Sequence, residues 1–226
     1  MKKVAIVQSN FIPWRGYFSL MRSVDEFIIL DSVQYTRRDW RNRNKIKSQN
    51  GLQWLTIPIQ SKGNYSAKVN EIRTLDSSWK DDHLNKLKIL YGKSPFFDEF
   101  FPILERAYGS KSVENLSDFN VRLLKEICCY LGFTPTITLD TNFSESLGSN
   151  QRLINLCKAT GGQIYVTGPR AKSYLEVDNF TSEGIKIEWF TYSEARIYKQ
   201  QWGEFIPDLS IIDIIFYLGE NAHICL

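Results

Sequence analysis

Histidine is almost absent from this chain, with only His83 and His223 in 226 residues, and the four cysteines, Cys128, Cys129, Cys157 and Cys225, show no C-x-x-C spacing. Without Cys, His and carboxylates clustered at ligand spacing, no zinc site is expected and no metal should be needed by the fold. Two adjacent cysteines in a chain of this length do not suggest a disulfide framework, so all four are expected to be buried free thiols. Long apolar runs are missing as well. No stretch approaches a membrane span, and the leading MKKVAIVQSN is broken by Gln8, Ser9 and Asn10 before a signal-peptide core can form. The expectation is a soluble, cytoplasmic protein without membrane insertion. Excess charge is small too: the net value of +3 is too low to imply general nucleic-acid or membrane affinity. P-loop, G-x-G-x-x-G, G-x-S-x-G and H-E-x-x-H patterns are all absent, which removes the usual support for triphosphatase, dinucleotide, hydrolase and zincin functions.

What is present is apolar and patterned. At 43% hydrophobic and 14% aromatic, the chain can bury a sizeable core. Val4 to Val7 and Phe27 to Tyr35 are Val- and Ile-rich runs flanking a segment of helical spacing, which predicts a β-α-β unit. Runs with so little alternation suit strands covered on both faces, as in a parallel sheet between helices. Ligands of such sheets bind beyond the carboxyl ends of the strands, where Gln8, Ser9, Asn10, Asp31 and Gln34 are expected.

Thr36 to Lys47 is the densest charge run, with six basic residues against one acid and Trp40 in its middle. It suits a solvated loop or a protected edge strand. It equally suits an anion site in which Arg38, Arg41, Arg43 and Lys45 meet phosphate or carboxylate and Asn42 adds neutral donors and acceptors. Its place after the Asp31 and Gln34 strand end favours the anion site.

Asn50-Gly51 predicts a β-hairpin between Lys45–Ser48 and Leu52–Ile59, followed by a turn at Lys62-Gly63-Asn64 and a strand near Val69 to Arg73. Residues 76–132 read as helices: one capped by Asp76 or Ser77, a second helix or helix pair from Phe96 to Tyr108, and a third from Val113 to Leu131. His83 lies in the first of these, where an imidazole serves either as a proton acceptor or as a satisfied core residue. The alternating pattern resumes with strands near Ile137–Leu139, Gln163–Thr167 and Ile185–Phe190. The Gly168-Pro169 turn after the middle strand predicts a helix start able to bind an anion, with Arg170, Lys172 and Tyr174 nearby. Asp213 falls in a nearly continuous apolar helix and must find a partner in the core or face a site. The economical organisation is one mostly parallel, Rossmann-like α/β domain over residues 1–226, with residues 76–132 as a helical insertion.

Gln8 to Phe18, Asp31-Ser32-Val33-Gln34, Asn42-Arg43, Trp54-Leu55, His83-Leu84, Ser94 to Phe97, Gly168-Pro169 with Tyr174-Leu175, and Leu209 to Asp213 together resemble the WbqC-like family of surface-polysaccharide gene clusters. Gln8-Ser9-Asn10 stands where that family usually has Gln-Pro-Asn. The resemblance implies a role in building O-antigen or a similar glycan, with transfer of glycine or a comparable group onto the amine of a nucleotide-linked sugar. In that reading Asp31 or His83 is the base, Gln8, Asn10 and Gln34 meet carbonyl or sugar, and Arg38, Arg41, Arg43 and Lys45 hold the diphosphate. The acyl donor is open among an adenylate made from ATP in the same site, a charged tRNA and a thioester. The other readings are a non-catalytic protein of the same pathway that binds a sugar nucleotide or a partner, and an adenylating enzyme. The last follows from a weaker resemblance of the first β-α-β unit to nucleotidylyl transferases, whose H-x-G-H motif would fall on Trp14 to Tyr17. Both histidines are missing there, leaving Tyr17 and the following arginines as alternative phosphate donors.

Overall fold

The computed structural model describes residues 1–60, 63, 66–109, 112–143, 149–192 and 196–226. The turn expected at Lys62-Gly63-Asn64 lies outside those residues apart from Gly63. By its internal contacts the chain divides into two compact units, one of Met1–Gln8, Gly16–Ser32 and Pro135–Ser193, the other of Ser9–Arg15, Val33–Thr134 and Glu194–Leu226.

The first unit holds a five-stranded parallel sheet. Its centre is β1 (Lys3–Val7), paired on one side with β2 (Glu26–Ile29) and on the other with a strand at Ile164–Thr167. Numbered in chain order within the whole protein, β5 (Thr136–Leu139) lies outside β2, the strand at Ile164–Thr167 is β6, and β7 (Lys186–Trp189) lies outside β6. The order β5-β2-β1-β6-β7 is the doubly wound arrangement, in which the sequence of strands reverses between β1 and β6. Val4 and Ala5 are fully buried and all four β2 residues are buried, which is why these strands lack polar alternation. Val4, Ile6 and Ile28 pack with Leu153, Ile154 and Cys157 of a helix at Ser149–Ala159, and with Phe180 of a short helix at Val177–Ser182. Helix α1 (Arg15–Arg22) brings Tyr17 to a ring contact of 5.3 Å with Phe27. Gly162 backs so closely onto the sheet that a Cβ there would lie 2.6 Å from Val4 Cγ2, so the turn before β6 has room only for glycine.

The second unit contains the hairpin of β3 (Arg43–Ser48) and β4 (Gly51–Thr56), with Gly51 at φ +94°, as the Asn-Gly signal requires. Its helices are α2 (Ser78–Tyr91), α3 (Phe97–Tyr108), α4 (Leu116–Tyr130) and, near the carboxyl end, a helix at Ile211–Leu218. The helices at Ser149–Ala159, Val177–Ser182 and Ile211–Leu218 are α5, α6 and α7 in chain order. Asp76 Oδ1 accepts from the Ser78 amide at 2.9 Å, and Asn115 caps α4 by accepting from Ser117 and Asp118.

Several expectations are corrected. The strand expected near Val69 to Arg73 is a 3₁₀ turn at Val69–Glu71, where the Glu71 carboxylate accepts from the Lys68 amide at 2.9 Å and stabilises the local coil over a ladder. The strand expected from Phe27 to Tyr35 ends at Ile29. The Gly168-Pro169 turn opens a 3₁₀ stretch at Pro169–Ser173 rather than an α-helix. Cys129 is exposed while Cys128, Cys157 and Cys225 are buried, because neighbours on a helix point about 100° apart. Among the described residues no helix is long and apolar enough to cross a membrane.

Candidate functional site

Gln8 follows β1 directly, and Gly168 follows β6, so these two residues bracket the point where the strand order reverses. That is the crevice where doubly wound sheets take ligands. Arg170 lies on the 3₁₀ stretch and Tyr174 directly after it, and both are exposed, whereas the Tyr192 hydroxyl lies 3.5 Å from where a Cβ on Gly168 would be. Gly168 has φ −71°, an ordinary value, so its lack of a side chain provides space rather than an unusual backbone.

Asp31 lies just past β2 and is 2% exposed. Its position is fixed by Asp140, at the end of β5, whose Oδ1 accepts from the backbone amides of Asp31 at 3.2 Å and Ser32 at 3.3 Å. Asp140 Oδ2 also takes the Ser32 hydroxyl at 2.5 Å and the Arg152 guanidinium at 2.7 Å. Arg152 and Asp140 were not singled out from sequence. The buried anion at the strand end holds the turn in place, and the α5 cation neutralises it.

Tyr17 is buried and donates its hydroxyl to the Gln8 carbonyl at 2.9 Å. Arg15, beside it in the position of the H-x-G-H resemblance, is also buried and donates to the Cys225 carbonyl at 3.1 Å. These side chains thus tie backbone together.

Of the residues expected to form the site, Gln8, Tyr17, Asp31, Gly168, Arg170 and Tyr174 belong to the first unit. Asn10, Gln34, Arg38, Arg41, Asn42, Arg43, Lys45 and His83 belong to the second. Within the second unit, Gln34 forms an isolated antiparallel bridge with Lys68. Asn42 is spent internally: Oδ1 accepts from Tyr35 at 2.9 Å and Nδ2 donates to the Ile57 carbonyl at 2.8 Å. Arg41 donates to Asn10 Oδ1 and pairs with Asp39 at 3.3 Å. Arg38 is exposed at φ +56°, and its carbonyl accepts from Arg43 Nη2 at 2.5 Å.

Arg43 and Lys45 lie on β3 beside aromatic rings. The Arg43 guanidinium is 4.4 Å from the Trp54 ring centroid, and Lys45 Nζ is 5.6 Å from that of Trp40 and 5.5 Å from that of Trp54. The two indoles are 5.7 Å apart. Trp54 was not expected here, although the Asn50-Gly51 turn pairs Lys45 with Trp54 across the hairpin and so signals it.

His83 is buried among Phe11, Trp79 and Tyr108, with Nε2 3.1 Å from the Thr56 carbonyl and Nδ1 3.4 Å from the Tyr108 hydroxyl. Burial lowers its pKa to about 4, so it is neutral near pH 7, donating through Nε2 and accepting at Nδ1. Asp213, also buried, accepts from Tyr91 and from Tyr198. Among the described residues no three His, Cys, Asp or Glu side chains are grouped so as to hold a metal ion.

No solved structure matches the chain. The uncharacterized protein Rv1507c of Mycobacterium tuberculosis is 45% identical over 222 residues, covering 98% of this chain and 96% of that protein. The profile of the WbqC-like protein family matches residues 8–224, a span that includes the Gln8 strand end, the basic hairpin and the Asp213 helix. Matched over nearly its whole length, the chain belongs to the WbqC-like protein family.

Proposed function

We propose that the protein is a transferase of surface-polysaccharide synthesis that attaches glycine or a similar acyl group to the amine of a nucleotide-linked amino sugar. Family membership supports the polysaccharide setting. The observation that carries the transferase reading is the strand-order reversal in the first unit, bracketed by Gln8 and Gly168, with Asp31 held beyond the neighbouring strand. Asp31 is then the proton acceptor, shielded from bulk water, and the Gln8 amide is a donor to the developing oxyanion. The amine nitrogen forms a bond to the activated carbonyl carbon as the carbon–leaving-group bond breaks. The bonding pair departs with the leaving group, and the amine proton passes to Asp31.

Within the second unit, Arg38, Arg43 and Lys45 are proposed as phosphate contacts, and Arg41 donates to Asn10 there. The acyl donor is an adenylate formed from ATP, a charged tRNA or a thioester, and each makes the same carbonyl electrophilic.

The test is to incubate the purified protein with candidate amino-sugar nucleotides, supplying glycine with ATP, glycyl-tRNA or a glycyl thioester in turn, and to look for a glycyl adduct by mass spectrometry. An adduct lost in Asp31→Asn supports the reading. Sugar-nucleotide binding with no product under any donor condition replaces it with a non-catalytic binding function.

A further inference from the structure

Trp40 and Trp54 are 38% and 39% exposed, an unusual state for two large aromatic rings that lie 5.7 Å apart. Neither ring needs to be exposed to form the hairpin. The opposite face already supplies the buried side of β3 and β4, where Asn44, Ile46 and Leu55 are almost fully inaccessible. The exposed rings are nevertheless positioned. Arg43 lies over Trp54 and is itself held by the Arg38 carbonyl, while Lys45 Nζ is within 5.6 Å of both ring centroids. Asp39, the acid of that run, is paired with Arg41, and among the described residues no carboxylate forms an ion pair with Arg38, Arg43 or Lys45.

Two oriented aromatic planes beside cations that no described carboxylate pairs with match a ligand that has both a flat ring and negative charge. We infer that Trp40 and Trp54, with Arg43 and Lys45, form a stacking site for the nucleoside diphosphate end of a nucleotide-linked sugar. The inference rests on the proposed role of the basic run as a diphosphate contact, and it adds the ring-recognition element and two residues. A neutral sugar would leave the cations unmatched, and inorganic pyrophosphate would leave the indoles unused. Bases stack on aromatic side chains and on guanidinium planes alike, so the Arg43–Trp54 pair offers one continuous surface to a base while Lys45 meets phosphate.

Calorimetric titration of the full chain with uridine, adenosine, guanosine, cytidine and thymidine diphosphates, and separately with inorganic pyrophosphate, tests this. At least one nucleoside diphosphate should bind about tenfold more tightly than pyrophosphate, the usual scale of one stacked base. Trp54→Ala should cost about tenfold for that nucleotide and under about threefold for pyrophosphate, and Trp54→Phe should recover most of the loss. If Trp54→Ala does not fold, Trp54→Leu and Trp40→Ala carry the same comparison. The inference is overturned if pyrophosphate binds as tightly as every nucleotide, if the indole variants bind nucleotide normally, or if a single-stranded oligonucleotide binds more tightly than the mononucleotide. A glycyl adduct without stacking-dependent binding would leave the transferase in place and remove this site. Stacking-dependent binding without any adduct would do the reverse.

Discussion

Tyr91 donates its hydroxyl to Asp213 Oδ2 at 2.8 Å, which gives a carboxylate in the apolar helix α7 one of its two partners. Tyr198 donates to the other oxygen at 2.6 Å. Burial raises the Asp213 pKa, and the two hydroxyls and the nearby Lys47 offset that rise only in part. The pairing expected from sequence is thus made by tyrosines. A hydrogen bond to a charged group contributes about 1.5 to 3 kcal/mol, so Tyr91→Phe should lower unfolding stability by that amount in urea titration. Asp213→Asn should cost less than the Tyr91→Phe, Tyr198→Phe double variant, since it removes the buried charge together with its need for donors.

His83 should make the protein acid-sensitive in a defined window. Its folded pKa of about 4 lies below the ordinary 6.5, so the unfolded chain binds the proton first as pH falls. The stability it provides is complete above pH 6.5 and is lost as pH falls towards 4. The size is about 3 kcal/mol across that interval. Denaturant titrations at pH 7, 5 and 4 should show this loss in the native protein and a shallower one in His83→Asn. Parallel curves would mean that another group governs the acid limb.

Arg152 and Asp140 form a pair in which one partner is almost wholly inaccessible, at 18% and 1% side-chain exposure. Arg152→Met alone leaves Asp140 charged and buried, and should cost about 3 kcal/mol. The Asp140→Asn, Arg152→Met double variant should cost clearly less than the sum of the single changes. Additive losses would show that the two residues stabilise the strand ends independently.

Tyr17→Phe removes a hydroxyl whose partner is the Gln8 carbonyl at 2.9 Å. The expected result is a loss of about 1 kcal/mol in stability with nucleotide affinity unchanged. Weakened nucleotide binding in a normally stable Tyr17→Phe protein would restore a phosphate-binding role to the turn at Trp14 to Tyr17.

The parts of the fold visible in the sequence are those set by local pattern. Val4–Val7 and Phe27–Ile29 read as buried parallel strands because no polar residue interrupts them, and Asn50-Gly51 announces the hairpin. Val69 and Ile72 look like strand residues because both are buried, but the capping of Lys68 by Glu71 is a three-residue interaction that an apolar pattern does not register. Site residues divide in the same way. Gln8 and Gly168 were legible as strand ends. Asp140, Arg152 and Tyr198 were not, since each gains its meaning from a partner supplied by another element. Trp54 stands between these cases: the hairpin register could have placed it beside Lys45, but its exposure and the Arg43 contact depend on the folded chain.

The strand order also constrains how the chain can assemble. The ribosome produces β1 early, and β2 can pair with it soon afterwards, but its other neighbour, β6, is made only after the hairpin and helices α2 to α5 have emerged. Until then one edge of the central strand has no ladder, and α6 has still to be made after it. Long-range parallel pairing of this kind folds slowly and exposes sticky edges. A nascent chain stopped shortly before Ile164 should therefore be far more prone to aggregation and chaperone capture than one extended beyond β7.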